Sequence, residues 1–251
     1  MNEIEVEQVA DADLDDPVFV EGLPGVGHVG KLVAEHLIEE TESTLLAKIY
    51  SEHFPPQVGI DETGVAGLAH AELYGVPTDG RDLVVLTGDH QAGDNRGQYR
   101  LTETFLDEAA RLGADRVYSL GGVPTGELIE EYSVLGAVSS PDLIEDLESA
   151  EVQFRSEEPA GGIVGTSGLL LGLGRRRGFE AVCLMGETSG YLVDPKSARA
   201  VLEVLQERLG FDVPVDALDD RADEMEEVIN KLQDMEATQS PSSGEDLRYI
   251  G

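Results

Sequence analysis

The segment Asp16-Pro-Val-Phe-Val-Glu-Gly-Leu-Pro-Gly-Val-Gly-His-Val-Gly-Lys31 links a predicted strand to a predicted helix. Its first part, Val18–Val20, is a short apolar run rich in β-branched residues, which is typical of a buried strand. From Lys31 onward, apolar residues recur at helical spacing, at Leu32, Val33, Leu37 and Ile38. A glycine-rich turn joins the two elements, and such a turn is where a parallel α/β sheet usually has its ligand site.

The glycines of this turn match two nucleotide-binding patterns at once. Gly25, Gly27 and Gly30 fit G-x-G-x-x-G, and Gly25–Lys31 fits G-x-x-x-x-G-K. A P-loop needs a hydroxyl residue after the lysine, where this chain has Leu32. A dinucleotide site needs an acidic residue about twenty positions later. Ser51-Glu52 lies there but runs into His53-Phe-Pro-Pro56. We therefore expect close backbone packing and no cofactor, with nucleotide binding as the lesser alternative.

The composition is strongly acidic. The 251 residues include 51 acidic and 17 basic ones, which gives a net charge of -34. Repulsion on this scale is screened by concentrated salt, so we expect an organism with a salty cytoplasm and no binding to nucleic acid or anionic membrane. Cys183 is the single cysteine and lies in an apolar run, which indicates core packing. The longest apolar segment, Leu169–Leu173, is too short to span a bilayer, so we expect a cytoplasmic protein.

Strand and helix patterns alternate along the chain, which predicts a doubly wound α/β sheet. Strands are predicted at 18–20, 43–50, 82–88, 132–138 and 181–185, and a β-hairpin at 64–74. Residues 113–120 are predicted to pass from a helix stop into another buried strand. One helix is predicted to begin at residue 31, and a second, after the loop at 89–97, is predicted to end at residue 112. Further helices are predicted at 141–150, 162–177 (broken by glycines), 195–209 and 216–235. The predicted divisions are an acidic segment 1–16, an α/β core 17–212, a C-terminal amphipathic helix 213–238 and a flexible tail 239–251.

Three predicted strand-end loops could build a site: Gly88-Asp-His-Gln91, Gly121-Gly122 and Gly186-Glu-Thr188. Asp89 and His90 could supply an acid and a base, and Glu187 could bind a hydroxyl-rich ligand. A site that uses phosphate would need an arginine among these loops, and Arg96 is the nearest in sequence.

Two further chemistries find little support in the sequence. Gly186–Gly190 has the G-x-S-x-G frame with Thr188 at the nucleophile position, and Gly165–Gly168 is one glycine short of it. Turn or capping hydroxyls explain both matches. The five histidines, at positions 28, 36, 53, 70 and 90, lack metal-ligand spacing, so no metal site is expected.

Six blocks of sequence within residues 17 to 235 stand out by their glycines, prolines and polar residues: Gly22, Pro24, Gly25, Gly27, Gly30, Phe54, Pro55, Pro56, Gly88, Asp89, Gln91, Gly121, Gly122, Gly186, Glu187, Thr188, Asp194 and Pro195. In this order, the blocks resemble the signatures of the archaeal proteasome assembly chaperone family, in a haloarchaeal-type member. The family is related to the second eukaryotic proteasome assembly chaperone. The resemblance implies a three-layer α/β/α sandwich like that of nucleoside phosphorylases, a homo-oligomer, ATP-independent binding of proteasome subunits, and no established catalytic residues.

The end of the sequence carries a second part of this resemblance. Family members can end in hydrophobic-Tyr-any residue, a tail that inserts between α-subunits of the proteasome ring. Here Tyr249 is third from the end instead of second, which departs from that pattern. The resemblance still implies that Leu247, Tyr249 and Ile250 contact the α-ring. The alternative is that this end folds back onto its own subunit.

Two functional hypotheses follow. The first is a non-enzymatic chaperone or adaptor of the 20S proteasome. The second is a phosphorylase-like or hydrolase-like enzyme that uses a crevice formed by Asp89, Gly121, Gly122 and Glu187.

Overall fold

The computed structural model describes residues 3–127, 129, 131–155 and 161–225. The strands are β1 (Ile4–Gln8), β2 (Val18–Glu21), β3 (Thr44–Ser51), β4 (Val58–Ile60), β5 (Ala66–Leu68), β6 (His70–Val76), β7 (Leu83–Gly88), β8 (Arg116–Pro124), β9 (Val134–Val138) and β10 (Glu180–Thr188). The helices are α1 (Val29–Glu39), α2 (Asn95–Arg111), α3 (Ile144–Glu148), α4 (Gly165–Arg177), α5 (Pro195–Leu209) and a further helical segment at 216–225. Short 3-10 turns precede α1 at Val26–His28 and α3 at Pro141–Leu143.

One eight-stranded sheet forms the centre of the molecule, in the order β1-β3-β6-β7-β2-β8-β10-β9. All four residues of β2 are buried, and this strand pairs in parallel with β7 on one side and β8 on the other. β10 continues the parallel pairing beyond β8, whereas β9, β6 and β1 run antiparallel to their neighbours. β4 and β5 form a separate two-stranded hairpin.

Helices cover both faces of this sheet, which gives three layers. Side chains of α1 and α5 form one core with β2, β7, β8 and β10, including Val33, Leu37 and Leu202. Side chains of α2 and α4 form a second core on the opposite face, including Phe105 and Leu170. Because the central strands are buried on both faces, they read as continuous apolar runs in the sequence.

Most predicted elements are present, and the differences have physical reasons. β8 and β10 extend through Gly121-Gly122 and Gly186–Thr188, which were predicted as loops. Both segments continue the parallel pairing of the two strands, with Gly122 opposite Gly186. The hairpin predicted at 64–74 lies at 58–68 instead, because His70–Val76 joins the main sheet between β3 and β7. α4 is continuous despite its glycines.

The two ends of the described chain both pack on this body. β1 lies at an edge of the sheet, next to β3. The helical segment 216–225 buries Leu218 in the α1–α5 core, and Arg221 pairs with Glu39 at 2.9 Å. The rest of the helix predicted at 216–235, from residue 226, lies outside the described residues. No helix in the described part of the chain has the length and apolar character needed to cross a bilayer.

Asp194 was predicted to cap α5, and its side chain accepts a hydrogen bond from the Ser197 backbone N–H at 3.1 Å. Replacing Asp194 with alanine leaves a donor in the first turn without this acceptor, so we expect a loss of about 1 kcal/mol in the free energy of unfolding. Urea denaturation measures this change. Asp13→Ala, at an exposed aspartate outside the helices, is the control and should shift the midpoint much less.

Candidate functional site

The glycine-rich turn between β2 and α1 is packed against the chain's own backbone. A Cβ atom on Gly30 would overlap the carbonyl oxygen of Leu120, and one on Gly22 would overlap the carbonyl oxygen of Gly30. Gly27 has φ +62°, and a Cβ atom on it would lie 2.9 Å from the Thr188 hydroxyl oxygen. The turn is also fixed by a hydrogen bond from the Asp194 N–H to the Gly27 carbonyl at 2.9 Å. These contacts are the close approach of backbones predicted from the sequence.

A cavity of about 1040 Å³ opens at the carboxyl ends of β8 and β10, on the α2–α4 face of the sheet. Its lining includes Gln91, Gly121, Gly122, Ser167, Met185 and Glu187. This is the edge of an open α/β sheet at which ligands usually bind. Gly121, Gly122 and Glu187 of the predicted crevice therefore come together, although they belong to strands and not to loops.

Asp89 lies outside this cavity and lines a separate cleft. Its carboxylate accepts a hydrogen bond from Lys31 Nζ at 2.6 Å, and this hydrogen bond lowers the pKa of Asp89 below its usual value. The Gln57 side chain lies 2.7 Å from His90 Nε2. Asp89 and His90 are thus engaged by a lysine and an amide, and Asp89 does not join Glu187 in one crevice.

Glu187 forms an ion pair with Arg155 Nη1 at 2.7 Å. Arg155 lies 32 positions away from Glu187 in the sequence and outside the predicted strand-end loops, so it was not predicted as the arginine of this site. Arg96, the arginine nearest in sequence to these loops, pairs instead with Glu3 at 3.1 Å. The one acidic side chain predicted to bind a ligand in the crevice is therefore already neutralised by a neighbour.

Glu21 is a further buried carboxyl group that the sequence analysis did not select. Its two oxygens accept hydrogen bonds from the Leu23 N–H at 3.0 Å and from Ser167 Oγ at 2.9 Å. Burial raises the pKa of Glu21 to about 7. Ser167 lies 146 positions away in the sequence and lines the cavity, so a titratable group lies directly behind the cavity wall.

The remaining candidate groups have structural roles. Cys183 is buried in the core, as predicted. Burial raises the pKa of its thiol to about 12, which keeps the thiol protonated. Thr188 is fully buried at the end of β10, so Gly186–Gly190 does not form an exposed nucleophile turn. Within the ranges that the structure describes, no cluster of three or more His, Cys, Asp or Glu residues could hold a metal ion.

The predicted partner-binding residues Leu247, Tyr249 and Ile250 lie outside the described residues. Apolar side chains are also exposed elsewhere on the described surface. Val26 and Val164 line the cavity, and Tyr191 and Leu192 lie between β10 and α5. A further group lies on the β4–β5 hairpin, at Val58, Ile60, Val65 and Leu68.

Comparison with known proteins gives a consistent result. A family model described as the PAC2 family matches residues 19–233. The crystal structure of Pyrococcus furiosus PbaB, described as an archaeal proteasome activator, is 40% identical with a TM-score of 0.88, and the match covers 93% of this chain and 100% of that chain. P. furiosus PbaA, described as an archaeal homolog of proteasome-assembly chaperone, is 28% identical with a TM-score of 0.77, over 93% of each chain. An uncharacterized protein of Methanocaldococcus jannaschii is 39% identical over 244 residues, which are 95% of this chain and 93% of that protein.

Proposed function

From the membership of this chain in the PAC2 family, we propose that it is a non-enzymatic, ATP-independent assembly chaperone or adaptor that binds subunits of the 20S proteasome. The observation that carries the proposal is the similarity to PbaB, at 40% identity over the whole of that chain. PbaA, described as a homolog of proteasome-assembly chaperone, has the same fold and supports the same class of function.

The geometry of the strand ends favours binding over catalysis. Asp89 and Glu187, the two acidic groups of the enzyme hypothesis, are in ion pairs with Lys31 and Arg155. Asp89 also lies in a different cleft from Glu187. The glycine-rich turn is occupied by contacts with Leu120 and Thr188, which supports a role without ATP.

We infer that the α-ring of the proteasome is contacted by Leu247, Tyr249 and Ile250. Aliphatic and aromatic anchors of this kind supply most of the energy of a small protein–protein interface. The protein would work as a homo-oligomer, as the family resemblance implies. Its net charge of -34 suits a salt-rich cytoplasm and opposes binding to nucleic acid or anionic lipid.

Truncation tests this contact. A version that ends at Glu245 is expected to bind purified α-subunits at least about tenfold more weakly than the full-length protein, because it lacks all three anchors. Isothermal titration calorimetry in concentrated potassium chloride measures the affinity. Tyr249→Ala should lose part of the same affinity, and Ser243→Ala, in the same segment, should lose none. Equal binding by the truncated and full-length proteins would remove the tail from the proposal.

The enzyme alternative has one specific observation in its favour, the cavity of about 1040 Å³ at the carboxyl ends of β8 and β10. A screen of nucleosides with inorganic phosphate tests it directly. Turnover that is lost in Glu187→Gln would favour the enzyme over the chaperone, and no turnover above the rate without protein is the result that we expect.

A further inference from the structure

The β4–β5 hairpin projects from the body of the protein with little cover on either face. Every residue from 56 to 68 is exposed. One face carries the paired Gly59 and Gly67, and no heavy atom of the described chain lies within 4 Å of a Cβ atom built on either glycine. A two-stranded hairpin with so little cover is only marginally stable in water. This hairpin therefore needs a further surface to pack against.

The other face of the hairpin is apolar. Val58 pairs with Leu68, and Ile60 pairs with Ala66, so these four side chains share a face. Val58 is 54% exposed, Ile60 is 72% exposed and Leu68 is 53% exposed, although side chains of this size are usually buried. Neighbouring apolar side chains with this exposure are typical of an interaction surface.

An apolar groove of about 520 Å³ adjoins the hairpin. Val58 and Leu68 line this groove together with side chains from the end of β3 and from the segment that follows it. The further lining residues are Tyr50, Ser51, Glu52, Phe54, Pro55, Pro56, Gln57 and Ala69. Because the hairpin and the groove share two residues, an apolar projection and an apolar depression lie side by side on the surface.

Charged residues are scarce in this part of the chain. Over the whole sequence 27% of the residues are charged, and 51 residues are acidic. Residues 54–60 and 63–71, which include both strands of the hairpin, contain no Asp, Glu, Lys or Arg. Asp61 and Glu62, between these two stretches, are at the tip. The strands therefore offer an apolar contact without carboxylates that would match a cationic partner.

This combination fits a second copy of the same chain. Two copies that each carry a net charge of -34 approach closely with least repulsion where the contact itself holds few charges. Concentrated salt screens the charges of the remaining surface within about 3 Å. Because the hairpin and the groove are neighbours, one two-fold rotation places the hairpin of each copy against the groove of the other, so the same contact forms twice.

We propose that the β4–β5 hairpin and the adjoining groove form a self-complementary interface, in which the hairpin of one copy of the chain packs into the groove of a second copy and the reverse. This inference rests on the homo-oligomer of the proposed function. It adds the surface through which the copies meet.

The first test measures self-association of full-length variants, by light scattering after size-exclusion chromatography in concentrated potassium chloride at a series of protein concentrations. Ile60→Asp is expected to weaken self-association at least about tenfold, because it places a carboxylate in an apolar contact. Val9→Asp is the control, since Val9 is 49% exposed outside the hairpin and the variant gains the same charge. Its mass should equal that of the unchanged protein at each concentration.

The second test locates the contact without adding a charge. Cys183 is fully buried, so a cysteine introduced on the surface reacts with a maleimide in its place. Ile60→Cys is expected to react at least severalfold more slowly at concentrations where the protein self-associates than after dilution. Val9→Cys should react at one rate throughout.

Three results would overturn the inference. One is equal self-association of Ile60→Asp and Val9→Asp, which would leave the homo-oligomer in place through another surface. A second is weaker binding of purified α-subunits by Ile60→Asp at unchanged mass, since the hairpin would then contact a different protein. The third is a monomer at every concentration; the homo-oligomer would then fail as well, whereas truncation of the tail would still test proteasome binding. If Ile60→Asp folds poorly, Val65→Asp repeats the comparison at a residue of the same hairpin that is 62% exposed.

Discussion

Replacing Gly30 with alanine is expected to destabilise the protein by about 3 kcal/mol or more, at or above the upper end of the usual cost of overpacking. The added Cβ would overlap the carbonyl oxygen of Leu120. That carbonyl belongs to the backbone of β8, which is paired on both sides within the sheet, so it cannot move alone. Urea or guanidinium denaturation at constant high salt measures the loss.

Gly25→Ala is the matched control within the same turn. No heavy atom lies within 4 Å of a Cβ built on Gly25, and its φ of -148° is open to any residue. Its stability should be unchanged or raised by up to about 1 kcal/mol, since alanine restricts the unfolded chain. If Gly30→Ala and Gly25→Ala had equal effects, the close contact between this turn and β8 would not matter for stability.

Replacing Glu21 with glutamine is expected to stabilise the protein at pH 8. Burial raises the pKa of Glu21 from 4.5 to about 7 in the folded protein. Between these two values the native state binds more protons than the unfolded state, so stability falls as the pH rises from 4.5 and levels off above pH 7. The ionised carboxylate therefore costs the wild type about 3 kcal/mol at pH 8.

Glutamine has the same shape and can keep both contacts of Glu21, with its oxygen on the Leu23 N–H and its amide on Ser167. Its advantage over the wild type should be about 2 to 3 kcal/mol at pH 8 and should disappear toward pH 5. Denaturation of both proteins at a series of pH values measures this difference. The contributions of the other acidic residues to the pH dependence cancel, because both proteins contain these residues. An advantage that does not change with pH would contradict a raised pKa for Glu21.

The sequence was sufficient to predict the α/β class because the main signals are local. β2, β7 and α5 were recognised from apolar runs, helical spacing and the Asp194 cap, each within a few residues. The ends of β8 and β10 were missed because a glycine in a strand looks like a turn. Gly122 and Gly186 are needed where Val26 and Ser197 approach the sheet, and that requirement is set by tertiary contacts.

The candidate site was harder to predict for the same reason. The ion pair of Glu187 with Arg155 and the hydrogen bond of Glu21 with Ser167 join residues that lie 32 and 146 positions apart. Neither pair has a spacing that a motif could encode. Glu21 follows the predicted strand 18–20 and was not selected as a site residue. In the structure it is the last residue of a fully buried strand, and a carboxyl group in such a place is the type of group whose pKa is most shifted.

The strand order also bears on how the protein is made. β1, β3, β6, β7 and β2 derive from residues 4–88 and form one continuous half of the sheet, whereas β8, β10 and β9 derive from residues 116–188. The two halves meet along β2 and β8. On the ribosome, a nascent chain can therefore pair the five main-sheet strands of residues 4–88 early, with one edge of β2 left open until Arg116–Pro124 has emerged.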